Sequence, residues 1–228
     1  MNDTCLASAS EIHAHLVDRF NRAICRPHHY GGEVALHLLT EAILVAEGRQ
    51  EAYRAQQDAW IRSRTMRPKG VIEAYGELIP GGSYDVGMAS VFAEFAQRCG
   101  WLTTGRLLTT SEYDALAGSA RQWAATDRTW SEIVNAFGAP SITLGGEDPQ
   151  DSKSLGYLSE EPRMPMVVFH LWNGSASGTN SGPPAHGQPQ LLAVRFGDGP
   201  FKETFTFTPE GKLRMPGPSC ACCAGSPS

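Results

Sequence analysis

The chain has 228 residues, of which 41% are hydrophobic and 19% are charged. This composition is typical of a folded globular protein and is too apolar for an intrinsically disordered one. Acidic residues outnumber basic ones by 24 to 19, with a formal net charge of −5, so the net charge argues against a nucleic-acid partner.

The first residues and the longest apolar run do not predict export or a membrane anchor. The chain begins Met-Asn-Asp-Thr-Cys, without the basic start and apolar segment of a secretory signal. Its longest apolar run, residues 42–46, is far shorter than the roughly 20 residues that span a bilayer. We therefore expect a soluble, cytoplasmic protein without membrane contact, in which the cysteines are thiols.

Helix signals fill the first 138 residues. Three hydroxyl residues are each followed by a glutamate three positions later, and these pairs predict capping boxes at helix starts: Ser8 and Glu11, Thr109 and Glu112, Thr129 and Glu132. Apolar residues recur at helical spacing after these and other starts, as in Ile12, Leu16, Phe20 and Ile24. Gly138 and Pro140 follow in the order typical of a helix end.

Beyond residue 138 the pattern becomes that of strands. Short β-branched or aromatic segments bounded by Gly and Pro predict strands at 142–144, 154–158, 166–172, 191–196 and 204–208. A turn at 208–211 predicts a further short strand at 212–214. The connections are too short for crossover helices, so we expect mostly antiparallel pairing.

The predicted fold class is therefore α+β, with a helical region (residues 1–138) packed on a small, mostly antiparallel sheet region (residues 139–215). The pattern leaves open whether these form two domains or one integrated domain. Residues 173–190, rich in Gly, Ser, Asn and Pro, predict a mobile loop. Residues 216–228 predict a disordered tail, on which Cys220, Cys222 and Cys223 are interpreted as incidental.

One segment near the N-terminus concentrates possible metal ligands. His28, His29, Glu33 and His37 are candidate catalytic residues, because imidazole and carboxylate groups bind zinc or similar ions. The intervening Gly31 and Gly32 favour a loop that leads into a helix near Glu33, so only Glu33 and His37 are expected to share a helical face. A structural or solvent-facing role is the preferred interpretation of this segment.

No sequence motif of a hydrolase elbow, a phosphate-binding loop or a dinucleotide fold is present. Aromatic residues of the second half, among them Trp172, Phe205 and Phe207, are candidates for a protein-binding strand face. We therefore expect a non-enzymatic, immunity-like or adaptor-like protein with one protein partner and no cofactor. The alternative is a metal-dependent enzyme, with zinc held by the His28 to His37 segment and Glu33 as base or ligand.

Residues 129–141 read Thr-Trp-Ser-Glu-Ile-Val-Asn-Ala-Phe-Gly-Ala-Pro-Ser and are followed by the predicted strands. This arrangement resembles the helix-then-meander module of small SmpA/BamE-like and inhibitor-like binding domains, over roughly a third of the chain. The resemblance implies a binding module, although the lipoprotein export signal of that family is not seen in this sequence.

Overall fold

The computed structural model describes residues 7–80, 83–146, 148–174 and 184–216. Within these ranges the helices are α1 (Ala9–Cys25), α2 (Gly32–Ala46), α3 (Gln50–Arg62), α4 (Val71–Gly76), α5 (Tyr84–Cys99), α6 (Thr110–Trp123), α7 (Trp130–Phe137) and α8 (Pro209–Arg214). Short 3₁₀ turns occur at Pro27–Tyr30 and Phe201–Thr204. No helix in these ranges is both long and apolar enough to cross a membrane.

The strands form one antiparallel meander. They are β1 (Ile142–Gly145), β2 (Lys153–Tyr157), β3 (Val167–Trp172), β4 (Gln190–Arg195) and β5 (Phe205–Phe207), and their order in the sheet is their order in the chain. Between β3 and β4 the register shifts at His170 and Leu171, so that Leu192 is the additional residue of a bulge. The predicted α+β class, with helices first and an antiparallel sheet after them, is confirmed.

The predicted capping boxes are present at the starts of α1, α6 and α7. In each, the hydroxyl of the cap residue accepts a hydrogen bond from the backbone amide of the glutamate, and that glutamate accepts one from the cap amide. These contacts satisfy amides that have no partner within the helix. Such short-range pairs are readable in the sequence because both members lie within one turn.

The predicted strand at residues 212–214 is wrong, since this segment belongs to α8. The Thr208 side chain accepts a hydrogen bond from the Gly211 amide, and Pro209 occupies the first turn, where its missing N–H costs nothing. Gly211 packs so closely against the backbone carbonyl of Leu192 that a β-carbon there would clash. The helix thereby lies directly on β4.

Both faces of the sheet are covered by helices. Along β3, Val168 and Trp172 join a core cluster that contains buried residues of α1 to α5. Val167, Phe169 and Leu171, which alternate with them along the strand, join a second cluster with buried residues of α6 and α7. Every residue of β3 is consequently buried, and the sheet forms the middle layer of three.

The larger cluster extends across residue 138. Phe92 of α5, Leu144 of β1 and Leu192 of β4 belong to it together, so the helical and sheet regions share a core. Residues 175–183 of the predicted loop lie outside the described residues, as do residues 217–228 with Cys220, Cys222 and Cys223.

Candidate functional site

The candidate residues His28, His29, Glu33 and His37 lie in two separate places. His28 and His29 belong to the 3₁₀ turn, whereas Glu33 and His37 belong to α2. Gly31 separates the two segments with φ of +93°, a left-handed conformation that glycine adopts readily. As predicted, Glu33 and His37 share a helical face, and His37 Nε2 lies 3.1 Å from Glu33 Oε1.

Glu33 caps another helix. Its carboxylate is buried and accepts hydrogen bonds from the backbone amides of Val71 (2.6 Å) and Ile72 (2.8 Å). These amides begin α4, where a negative charge is favoured by the helix dipole. Gly70 leaves room for this contact, because a β-carbon there would lie 2.6 Å from Glu33 Oε1. The carboxylate is therefore engaged in holding α4 against α2.

His37 extends this network to α3. Its Nδ1 is hydrogen-bonded to the Tyr53 hydroxyl, and its Nε2 faces the Glu33 carboxylate. Since a carboxylate accepts, Nε2 donates to Glu33, and the Tyr53 hydroxyl is the partner of Nδ1. Burial, with the charges of Glu33 and Glu41, raises the pKa of Tyr53, so its hydroxyl remains protonated. The three side chains join α2, α3 and α4.

His28 instead pairs with a residue distant in sequence. Its Nδ1 lies 3.0 Å from Oδ2 of Asp85, in the first turn of α5. The hydrogen bond to Asp85 raises the pKa of His28, the aspartate charge adds to this, and partial burial opposes it. His28 and His29 both line a cleft of about 620 Å³. Asp85 carried no signal in the sequence, because the contact exists only once α5 packs against the 3₁₀ turn.

In the ranges that the structure describes, no three His, Cys, Asp or Glu side chains form a group that could hold a metal ion. The zinc hypothesis needed His28 and His29 to approach Glu33 and His37, yet the nearest ionic partner of His28 is Asp85. A zinc-dependent activity remains a prediction, without an assembled set of ligands to support it.

The aromatic candidates lie largely inside the molecule. Trp172 is 4% exposed and Phe205 is 8% exposed, while Phe207 is partly buried against the same core. The Arg214 guanidinium covers the Trp172 ring at 3.9 Å from its centroid. A binding role at these three residues stays a prediction, but the rings of Trp172 and Phe205 contribute to the core instead of forming an open strand face.

A different apolar surface is open to solvent. Val34, Leu38 and Val45 of α2 are 69%, 62% and 52% exposed. With about 100° per residue, their positions fall within roughly 40° of one another around the helix, and we call these three residues the α2 stripe. Their helical spacing was readable in the sequence, but a helix that is apolar on several sides gives no indication of which side the core will cover.

The comparisons with known proteins add no relative to this description. No protein-family model matches the chain, and no curated protein or solved structure is significantly similar to it. The likeness of residues 129–141 to SmpA/BamE-like modules therefore stays a likeness of one helix end and the strands after it, and the candidate sites are defined by their geometry alone.

Proposed function

We propose that this chain is a non-enzymatic, cytoplasmic protein-binding protein of the immunity or adaptor kind, and that one protein partner docks on the α2 stripe. The observation that supports this most is the alignment of Val34, Leu38 and Val45, each more than half exposed, along one line of a helix. Single exposed apolar residues are common on protein surfaces, whereas aligned ones are typical of interaction sites.

The free energy available from covering the stripe is substantial. Burying a large aliphatic side chain stabilises a complex by about 1.5–3 kcal/mol relative to leaving it in water. Three such side chains in a row suit the apolar centre of an interface, which is where most binding free energy arises.

The charges near the stripe suggest the chemistry of the partner. Glu41 is exposed and lies on the same side of α2, between Leu38 and Val45. A complementary surface would be apolar and carry one Lys or Arg opposite Glu41, since an unpaired carboxylate in an interface is costly. The formal net charge of −5 favours the same kind of basic partner.

The test compares the same substitution at two exposed leucines, one inside the α2 stripe and one outside it. The full chain is immobilised as wild type, as Leu38→Glu and as Leu213→Glu, and proteins of the native host are captured under identical conditions. Leu213 is 82% exposed on α8 and lies outside the stripe, so its substitution controls for a general loss of apolar surface. We expect one protein to be retained by wild type and Leu213→Glu and lost with Leu38→Glu.

A second variant and a mass measurement define the partner. Glu41→Lys should weaken the capture, because it reverses the charge that faces the basic residue. Capture that is equal for all variants, or absent for wild type, contradicts the proposal. A homodimer in light scattering that Leu38→Glu converts to monomer also contradicts it, because the stripe would then bind a second copy of this chain.

A further inference from the structure

The cleft beside His28 has the size and the wall chemistry of a ligand site. Its volume of about 620 Å³ lies within the range of small-molecule sites, roughly 300–1,000 Å³. Arg26, His28 and His29 form one wall, and Gln150, Asp151 and Ser152 contribute to another. Basic side chains and side chains with oxygen acceptors therefore line the same cleft.

We infer that this cleft binds a small organic anion that also carries hydroxyl groups, with the imidazolium of His28 as its cationic contact. The expected ligand is thus a polyol that carries one phosphate or carboxylate group. This site is separate from the α2 stripe, so the inference does not depend on the proposed protein partner.

The orientation of His28 supports this assignment. Asp85 accepts from Nδ1, which fixes the ring and leaves Nε2 for another partner. The His28 side chain is 55% exposed, whereas Asp85 is 14% exposed, so a ligand reaches the imidazole and not the aspartate. The raised pKa of His28 extends the range of pH over which the ring is a cation that donates to an anion.

The second wall is fixed before any ligand binds. The Asn173 side chain donates to the carbonyl oxygens of Gln150 (2.8 Å) and His186 (3.0 Å) and accepts from the His186 amide (2.9 Å). The Asn173 amide donates to Ser152 Oγ at 2.8 Å. These bonds tie the chain after β3 to the connection between β1 and β2, and a preformed wall lowers the entropic cost of binding.

The hydroxyl groups of the ligand would meet this second wall. Asp151 carries a carboxylate, which accepts hydrogen bonds, and the Ser152 hydroxyl, whose Oγ accepts from the Asn173 amide, also has a proton to donate. Asp151 would repel a ligand that is anionic at both ends. A single anionic group near His28 with hydroxyl groups near Asp151 therefore fits the charges of the cleft best.

Binding should depend on pH through His28. Among the residues that the structure describes, the charged or titratable groups that pair with His28 or line the cleft with it are Asp85 from α5, Arg26 and His29, and Asp151 from the β1–β2 connection. Below its raised pKa, His28 is a cation and attracts the anion, and above it the attraction is lost. Affinity should consequently fall as the pH rises through the pKa of His28.

Calorimetry and NMR of the histidine rings test this with defined probes. Glucose 6-phosphate and gluconate represent the phosphate and the carboxylate, glucose lacks the anion, and inorganic phosphate lacks the polyol. We expect at least one of the two anionic polyols to bind and shift the His28 ring signals, and glucose and inorganic phosphate to bind more weakly. Which of the two anionic polyols binds identifies the anionic group.

Two variants and a matched control complete the experiment. His28→Asn should weaken binding about tenfold, the loss expected for one charge-assisted hydrogen bond, whereas His15→Asn, at an exposed histidine of α1, should leave it unchanged. Asp85→Asn retains the imidazole and should move the loss of affinity to lower pH, which remains measurable even if His28→Asn misfolds. No binding by either anionic polyol, or equal affinity in wild type and a folded His28→Asn, would overturn the inference.

Discussion

His170 lies in the middle of β3 and is 1% exposed. Its Nδ1 is 2.9 Å from Ser154 Oγ, and its Nε2 is buried without a hydrogen-bond partner among the described residues. Burial, reinforced by the nearby Arg195 charge, lowers the pKa of His170 well below 6.5. The ring packs parallel to that of Phe205, as a neutral aromatic group of the core.

We predict that His170 makes the protein less stable in mild acid. Below pH 6.5 the unfolded chain binds a proton at this residue and the folded chain does not, so the free energy of unfolding falls as the pH decreases. The slope for one proton is about 1.4 kcal/mol per pH unit. Urea unfolding between pH 5 and 6.5 measures it, in a range above the titration of ordinary carboxylates.

The pKa of His28 is shifted in the opposite direction to that of His170, so His28 serves as a comparison for this prediction. Its folded pKa is raised, so its contribution to stability is complete below about pH 6.5 and is lost as the pH rises through the folded pKa. His170→Gln should reduce the slope below pH 6.5, whereas His28→Asn should lower the stability by a constant amount below pH 6.5 and change the slope only above it. A His170 ring signal that titrates with a pKa near 6.5 in the folded protein would contradict the assignment.

Glu33 allows a second prediction at this scale. Glu33→Gln removes the charge that accepts from the amides of Val71 and Ile72, and hydrogen bonds to a charged group contribute about 1.5–3 kcal/mol. We expect a loss of stability of that order in urea unfolding. Glu41→Gln, at an exposed position of the same helix, should change stability by less than about 0.5 kcal/mol. Equal effects of Glu33→Gln and Glu41→Gln on the free energy of unfolding would mean that the Glu33 charge at the start of α4 does not stabilise the protein.

Among the elements, α4 begins in a conformation that only glycine tolerates well. Gly70 has φ of +104°, and an added β-carbon would lie 2.6 Å from Glu33 Oε1. We predict that Gly70→Ala destabilises the protein by about 1–3 kcal/mol, through backbone strain and a disturbed cap. The measurement is thermal or urea unfolding, with hydrogen exchange of the α4 amides as the local readout.

Gly118 in α6 is the matched control, because it is exposed and has no atom within 4 Å of an added β-carbon. There, alanine is the better helix former, and Gly118→Ala should stabilise the protein by about 0.5–1 kcal/mol. If both substitutions have the same sign and size, helix propensity alone accounts for them, and the contact with Glu33 is not needed to explain Gly70.

At the scale of the elements, contacts between residues one turn apart could be predicted from the sequence, and contacts made by tertiary packing could not. The cap at Thr109 and the pair of Glu33 with His37 were predictable because their partners are one turn apart. The helix α8 was missed because Thr208, Pro209 and Gly211 fit a turn as well as a helix start, and the contact of Gly211 with Leu192 is not recorded in the local sequence. Trp172 was assigned to an open face because the sequence does not show that its side of β3 packs in the cluster with α1 to α5, nor that Arg214 of α8 covers its ring.

The same limit on prediction from the sequence applies to the candidate site. His28 was among the candidates, but its partner Asp85 lies 57 residues later in the chain, and no spacing rule connects them. The α2 stripe was hidden for the opposite reason, because apolar residues such as Leu38 look equally suited to the core. His28 could be chosen as a candidate from its own side-chain chemistry, whereas its contact with Asp85 depends on how the helices pack.

At the scale of the whole molecule, the first core cluster joins elements on both sides of residue 138. Phe92 of α5 is completely buried and belongs to the same cluster as Leu144 and Leu192 of the sheet. A core that is shared in this way resists independent unfolding of its halves, because either half would expose apolar surface of the other.

We therefore predict that one substitution in the helical region weakens the sheet as well. Phe92→Ala should cost about 3–5 kcal/mol, a large part of the 5–15 kcal/mol typical of a folded protein. Hydrogen exchange should show equal losses of protection in α5 and β3, while the exposed Leu213→Ala leaves both unchanged. Protection that falls in α5 alone would mean that residues 1–138 unfold by themselves. Equal losses would instead establish one cooperative unit, in which a partner bound to α2 also stabilises the sheet, because binding to the folded state lowers the population of every unfolded form.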